Sequence, residues 1–271
     1  MRIVGIGDNV VDRYVSLGQM FPGGNALNVA VFARRAGAQT AYIGAVGTDT
    51  AGRLILQALQ EEGVDVSHVR VVDGPTATAD VALVDGDRQF VGSSVGVSQF
   101  EPDAADLAFL RGSDLMHTSI YSGLDSWVGV VGGQLPISFD FSDHIDPAYV
   151  RALASRLVCA LFSGSRLAPE MAEDLARWTV SLGPKIALVT RGVHGVIACI
   201  EGRCWTQPMY PVRAIDTLGA GDAFLATFLV AHLQGASPPE ALARAAEAAA
   251  IACTYHGAFG RGGPINGDLT T

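Results

Sequence analysis

The chain has 271 residues, of which 49% are apolar and 17% charged, the balance of a compact α/β protein rather than a disordered one. A net charge of −9, with no local Lys/Arg cluster to offset it, argues against nucleic acid as a partner; a nucleotide stays open, since Mg²⁺ and a few N–H groups suffice to hold one. Asp222, His232, Glu240 or Glu247 interrupt the longest apolar stretches and Met1 leads straight into strand-like residues, so neither a membrane span nor a signal peptide is expected, and the expected compartment is the cytoplasm.

Short apolar runs at 3–7, 41–46, 115–118, 137–141, 158–162 and 186–190 read as strands. They lack strict alternation, as strands covered on both faces do. Helical periodicity falls between them, at 26–36, 51–62, 103–111, 147–156 and 169–181. The C-terminal part is helix-rich, with 220–233 followed by 239–255, the latter opened by Ser237 and a proline. This alternation predicts a single α/β domain over 1–271, with a central, mostly parallel sheet, helices on its faces and ligands at the carboxyl ends of the strands.

One segment breaks the pattern. Residues 76–91 alternate around Asp85-Gly86, a hairpin signal, and with the strand-like run 69–72 they predict a small antiparallel sheet over about 69–91. That sheet is either an edge hairpin of the main sheet or a lid that keeps water from a site. The four cysteines, Cys159, Cys199, Cys204 and Cys253, show no metal-binding spacing. Cys199 and Cys204 could meet across a short hairpin, but reduced core cysteines are expected. The tail 260–271, rich in Gly, Pro, Asn and Asp, is expected to be loosely ordered.

Chemistry-bearing residues gather at the predicted strand-to-helix junctions. Gly7-Asp8-Asn9-Val10-Val11-Asp12 follows the first strand, and Phe21-Pro22-Gly23-Gly24-Asn25-Ala26-Leu27-Asn28 leads into the first helix. Carboxylates, amides and bare glycine backbone suit a polyhydroxylated ligand, although Asp8 and Asn25 taken singly read as turn and cap residues. Val189-Thr190-Arg191-Gly192-Val193-His194-Gly195 ends a strand. Its hydroxyl, arginine and glycines suit nucleotide phosphates, or make an ordinary hairpin turn. The small-sided run 241–253 offers close helix packing or a slot for a planar base.

The run Asp216-Thr217-Leu218-Gly219-Ala220-Gly221-Asp222 is the densest of these. Its glycines let the backbone approach an anion, and the first N–H groups of the following helix lack intrahelical partners. Asp222 beside that nest can take a proton from an attacking hydroxyl. By itself the run is equally a glycine-rich turn with an acid at a helix start. It is no dinucleotide fingerprint, because the third small position falls on Phe224, and the chain contains no P-loop.

Gly23-Gly24-Asn25-Ala26-Leu27-Asn28-Val29-Ala30 together with Asp216-Thr217-Leu218-Gly219-Ala220-Gly221-Asp222 resemble the two signatures of the PfkB/ribokinase family of sugar kinases. The likeness runs in order and spacing across nearly the whole chain. Residues 7–12, Gly63-Val64-Asp65-Val66-Ser67-His68-Val69, Phe139-Asp140-Phe141-Ser142-Asp143 and Tyr255-His256-Gly257-Ala258 are similar to the fructoselysine-phosphorylating branch of that family. The resemblance implies a ribokinase-like three-layer α/β sandwich with a small β lid. It implies transfer of the ATP γ-phosphoryl group to a primary hydroxyl of a ketose or ketosamine, fructoselysine to its 6-phosphate first among them. Kinases for fructose, ribose or a nucleoside are the alternative, and a non-catalytic sugar or nucleotide sensor ranks lower because Asp222 and its glycines are intact.

By position, the resemblance makes Asp222 the general base and the N–H groups of Gly219, Ala220 and Gly221 the anion hole. It places Asp8, Asp12, Gly23, Gly24 and Asn28 on the sugar, and Thr190, Arg191, Gly192 and Gly195 on the nucleotide. Asp216 matches a place where relatives hold K⁺. An Asn-x-x-Glu motif that helps organise Mg²⁺ in relatives is replaced here by Ser163-Gly164-Ser165-Arg166, with Glu170 beyond. The Mg²⁺ ligands are therefore unassigned, water and phosphate are expected to supply most of them, and Arg166 or Arg191 is a candidate to neutralise charge. A ketosamine also brings charged groups beyond its sugar, for which Asp80, Arg88, Asp143 and His144 are candidates. A lid paired with a second subunit would make a homodimer.

Overall fold

The computed structural model describes residues 1–84 and 87–265. The expected turn at Asp85-Gly86, the side chain of Arg88 and the last part of the expected loose tail lie outside the described residues. In chain order the first half contains β1 (Arg2–Ile6), β2 (Val10–Tyr14), β3 (Gln19–Gly23), α1 (Asn25–Arg35), β4 (Gln39–Gly47), α2 (Thr50–Glu61), β5 (Asp65–Val72), β6 (Thr78–Val84) and β7 (Asp87–Ser94). Then come α3 (Ala104–Leu110), β8 (Leu115–Ser119), α4 (Asp125–Val131), β9 (Ile137–Asp140), α5 (Pro147–Ala154), β10 (Cys159–Ser163) and α6 (Pro169–Ser181). The chain closes with β11 (Ile186–Thr190), β12 (Val196–Ile200), β13 (Arg203–Gln207), α7 (Ala220–Leu233), α8 (Pro238–Ala252) and β14 (Gly263–Pro264).

Nine strands form one sheet in the order β13-β12-β11-β10-β9-β8-β1-β4-β5. It is parallel from β11 to β5 and antiparallel only where β12 and β13 are added. Successive strand residues point to opposite faces, and here both faces are covered. Ile3, Leu115, Leu161 and Leu188 pack with α1, α2, α7 and α8 in one core. Their neighbours Val4, Met116, Phe162 and Val189 pack with α4, α5 and α6 in the other. Two cores separated by one sheet make a three-layer sandwich, and explain why the strands read as continuous apolar runs.

A second sheet has the order β14-β3-β2-β6-β7. β6 and β7 pair antiparallel, as the alternation predicts, while β2 and β6 run parallel. The run 69–72, expected in this small sheet, belongs instead to β5 at the edge of the large one, paired with β4. A short strand-like run beside a hairpin does not say to which sheet the strand is added. β2 and β3 take the place expected for 69–72, so the small sheet grows out of the N-terminal segment that also carries Asp12 and Gly23.

Cys199 lies opposite Cys204 across the β12–β13 turn and the two form a disulfide, correcting the expectation of reduced thiols there; Cys159 and Cys253 are free and buried. The turn between them places Glu201 and Gly202 at positive φ, the backbone of a two-residue hairpin that brings its flanking residues face to face. Among the described residues no helix is long and apolar enough to cross a membrane.

Candidate active site

Strands β1, β8 and β9 end side by side, and the starts of α1 and α7 meet above them. On β8 and β9 the residues facing this side of the sheet change from apolar to polar toward the carboxyl end: Leu115, then His117 and Ser119 on β8; Ser138 and Asp140 on β9. The first turn of α1 carries Asn25 and Asn28 into the same space. α7 brings Asp222.

Asp222 is buried, and both of its oxygens accept from amide side chains: Oδ1 from Asn25 Nδ2 at 2.8 Å and Oδ2 from Asn28 Nδ2 at 2.7 Å. Burial is the main force holding this carboxyl well above the usual carboxylate range. The nearby Asp140 charge adds to it, and the hydrogen bond from Asn28 opposes it. A carboxylate so placed is a stronger base than one in water once it is ionised.

The loop in front of α7 is fixed by Asp216. Its Oδ1 accepts from Leu218 N–H at 3.0 Å, and its Oδ2 accepts from Gly257 N–H at 3.0 Å and from the Tyr14 hydroxyl on β2. Gly219 then takes φ 75°, and a Cβ there would come within 2.8 Å of the Ala258 backbone, so only glycine fits. The first bond of α7 runs from Ala223 N–H to Gly219 C=O at 2.8 Å, while Ala220 N–H makes a long 3.4 Å contact with Thr217 C=O. The N–H groups of Gly221 and Asp222 therefore precede the helical ladder and sit at the positive end of its dipole. A Cβ on Gly221 would meet nothing within 4 Å.

The N-terminal candidates divide by role. Asp8 caps α1 from outside the helix: its carboxylate accepts from Asn25 N–H at 2.6 Å, Ala26 N–H at 3.4 Å, Ser119 Oγ at 2.8 Å and Ser122 Oγ at 2.7 Å. Since Gly24 stands at the N-cap position without a side chain, Asp8 supplies what an N-cap carboxylate would. Gly24 itself has φ 108°, and a Cβ on it would strike Asn9 Cα at 2.5 Å. Asp12 is buried on β2 with its Oδ2 only 2.6 Å from where a Cβ on Gly23 would lie, so those two residues share one surface. Asn28 Oδ1 is buried with no partner among the described residues.

Three residues not singled out as site residues in the sequence complete the cluster. Asp140, buried at the end of β9, accepts from Asn25 Nδ2 at 2.6 Å and from Ser142 N–H at 2.7 Å. Burial pushes its carboxyl up to about 6, against the pull of those two donors. His117 and Ser138 lie behind Asn25, with the imidazole 2.8 Å from each neighbour. The available signal was a charged or polar side chain inside an otherwise apolar strand, Phe139-Asp140-Phe141 above all.

A cavity of about 510 Å³ opens at Gly221. Thr190, Gly192 and Gly195 line it on one side, Ala220 and Gly221 at its floor, and Ala246, Ala249 and Ala250 of α8 on a flat apolar side. Within the small-sided run 241–253, Ala241 and Ala245 pack in the core while Ala249, Ala250 and Cys253 line the cavity. Size, apolar slot and open helix start fit a nucleoside triphosphate. Arg191 takes no part in the lining. Its Nε and Nη2 donate to Leu167 C=O at 3.3 and 3.2 Å, bracing the loop after β10.

A second cavity of about 360 Å³ shares Ser163 and Ser165 with the first and is also lined by Asp143 and Arg166. Among the described residues there is no cluster of three or more His, Cys, Asp or Glu side chains placed to hold a metal ion. Of the candidates for a charged substrate end, Asp143 and His144 are exposed at the rim. Asp80 takes a bidentate pair from Arg13 at 2.6 and 2.9 Å, and β2–β6 register puts that pair on the face opposite Asp12.

The model of the pfkB family of carbohydrate kinases matches residues 4–120 and 160–260, which include both glycine turns and Asp222. The chain belongs to that family. The fructosamine kinase FrlD of Bacillus subtilis is 41% identical over 269 residues, covering 97% of this chain and 95% of the relative. The fructoselysine 6-kinase of Escherichia coli is 38% identical, covering 94% and 98%, and a fructokinase of Salmonella typhimurium 32% identical, covering 94% of each. Among solved structures, a ribokinase of Arabidopsis thaliana complexed with ribose and ATP superposes with a TM-score of 0.80 at 26% identity, covering 96% of each chain. The pfkB-family chain is thus an ATP-dependent carbohydrate kinase with the ribokinase-like fold that its residues predict.

Proposed function

We propose that this kinase phosphorylates the 6-hydroxyl of a ketosamine, with fructoselysine the first substrate to test. One observation carries the catalytic half of the reading. Asp222, buried and held by two amides, directly follows Gly221, where a cavity of nucleotide size opens onto an unpaired helix start. The acceptor half rests on similarity, since relatives named for fructosamine and fructoselysine share 38–41% identity over almost the full length, against 32% for the fructokinase.

In this reading the sugar lies against Asp12, Gly23 and Gly24, with Asn28 Oδ1 available to a hydroxyl, while Asp8 serves the site by holding the start of α1. The acceptor hydroxyl attacks the γ-phosphorus, the bond to the departing ADP oxygen breaks, and the hydroxyl proton passes to Asp222. N–H groups of Gly221 and Asp222 stabilise charge on the moving phosphoryl group, with Ala220 and Gly219 shaping the turn. Mg²⁺, when bound with ATP, shields the phosphate charge. Thr190, Gly192 and Gly195 border the nucleotide, and Arg191 acts through the loop it braces. K⁺ is assigned to the loop that Asp216 organises, and higher turnover in K⁺ than in Na⁺ is the corresponding outcome.

The small sheet supplies a lid over Asp12, its outer strands offer a surface for a second copy, and the reaction is placed in the cytoplasm, where ATP is made. An ADP-coupled assay over fructoselysine, other fructosamines, fructose, ribose and a nucleoside tests the substrate class. A preference for a ketosamine of at least tenfold in kcat/KM is expected, and an equal preference for free fructose refutes it. Light scattering in solution reports whether the protein is a dimer.

A further inference from the structure

His117 and Ser138 are fully buried polar residues that touch neither cavity. They sit on adjacent strands, β8 and β9, in paired register. His117 Nε2 is 2.8 Å from Asn25 Oδ1, and Nδ1 is 2.8 Å from Ser138 Oγ. An amide oxygen only accepts, so Nε2 carries the proton, and the bare Nδ1 accepts the Ser138 hydroxyl. Burial lowers the imidazole to about 3, so the ring stays neutral at working pH.

This tautomer has a consequence two bonds away. With Oδ1 engaged by His117, both Nδ2 protons of Asn25 face carboxylates, Asp140 at 2.6 Å and Asp222 at 2.8 Å. The reversed amide would set its oxygen against those two carboxylates and its NH₂ against the Nε2 proton, and both contacts are repulsive. Asn25 is further fixed by its own N–H on Asp8 at 2.6 Å. The ring and the two carboxylates thus favour the same amide orientation, the one that donates to Asp222.

We propose that His117 is a positioning residue for phosphoryl transfer: through Asn25 it orients the Asp222 carboxylate and holds it together with Asp140, a role that rests on Asp222 being the base. The groups bearing on Asp222 are Asp140, Asp8 and Asp12, which disfavour its ionisation, and Asn25 and Asn28, which donate to it. Losing the Asn25 donor therefore raises the Asp222 pKa and shifts the acid limb of kcat against pH upward.

Three variants and one measurement on the unaltered protein decide it. His117→Leu removes the donor while keeping bulk. It is expected to lower kcat by about 10- to 100-fold, the cost of a misplaced catalytic group, with KM for ATP within about twofold and the acid limb moved up by about half a pH unit or more. His117→Gln, whose amide keeps a donor, should recover part of both effects, and Ser138→Ala should show a smaller shift of the same sign. Nitrogen NMR of histidine-labelled protein should show His117 protonated at Nε2 alone and not titrating between pH 5 and 8. A His117→Leu enzyme with unchanged kcat and pH limb and only a lower Tm overturns the proposal, as does an Nδ1–H tautomer or a titrating ring. If His117→Leu does not fold, the Gln variant and the NMR result decide between these outcomes. Near-normal turnover by Asp222→Ala would remove the base reading and with it the catalytic role, while the NMR tautomer would still report the geometry.

Discussion

Asp222 and Asp140 share the Nδ2 group of one asparagine inside a desolvated pocket, and both carboxyls are raised by burial. Asp222→Ala should lower kcat by about 10²- to 10⁴-fold, the usual contribution of a positioned base, with KM for ATP changed far less. A steady-state assay on a turned-over acceptor checks this. The raised pKa values also carry a sign for stability. A carboxyl whose folded pKa lies above its unfolded value favours the fold at low pH, and that contribution fades as pH rises through the folded value. For Asp140 the window runs from about 4 to above 6. The Tm of Asp140→Ala relative to the unaltered protein should therefore rise steadily between pH 4 and 7; a flat difference would remove the burial account. The glycine turns before α1 and α7 made it legible that Gly24, Asn28 and Asp222 stand at helix starts, while Asp12, expected beside them after the first strand, lies within β2. The contacts of His117 and Asp140 were not legible, since what matters for them is Asn25 of α1, a neighbour distant in the chain that turns a buried polar group into a hydrogen-bonded one.

At the level of elements, the start of α7 contrasts two glycines with opposite demands. Gly219 holds φ 75° against the Ala258 backbone, whereas Gly221 is helical and faces open space. Gly219→Ala is expected to destabilise the fold by about 1–2 kcal/mol or more, the cost of a left-handed residue with a side chain plus a backbone overlap, measured by denaturant unfolding. Gly221→Val should leave the unfolding midpoint nearly unchanged and instead raise KM for ATP, because its side chain enters the cavity. Six strands of the large sheet, β1, β4 and β8 to β11, were legible because two covered faces leave continuous apolar runs; β12 and β13, added antiparallel at one edge, were not read as strands. β2 and β3 were not: in Val10–Tyr14 the charged Asp12 and Arg13 interrupt the apolar pattern, and Gln19–Gly23 ends in the glycine turn that drew the functional reading. For β5, the strand-like run 69–72 showed a strand but could not choose its partner.

For the whole molecule, the cavity proposed for the nucleotide draws walls from β11, from the turn before α7 and from α8, which no single element holds in place. A non-hydrolysable ATP analogue with Mg²⁺ at about 100 times its Kd should raise unfolding stability by about 2.7 kcal/mol, read as an upward Tm shift. The same analogue concentration should shift the Tm of Gly221→Val much less, and an equal shift would show that the cavity is not the nucleotide site.

Asn25 meets Asp222 across 197 positions of sequence, and Asn28 meets it across 194. During synthesis the first of these residues leaves the ribosome long before the last. A nascent chain that already holds its sheet, α1 and Asp8 still lacks α7, and hence the carboxylate, the unpaired helix start and the floor of the ATP cavity. With Asp222 as the base, as proposed, the unfinished protein is expected to spend no ATP until the C-terminal fifth docks.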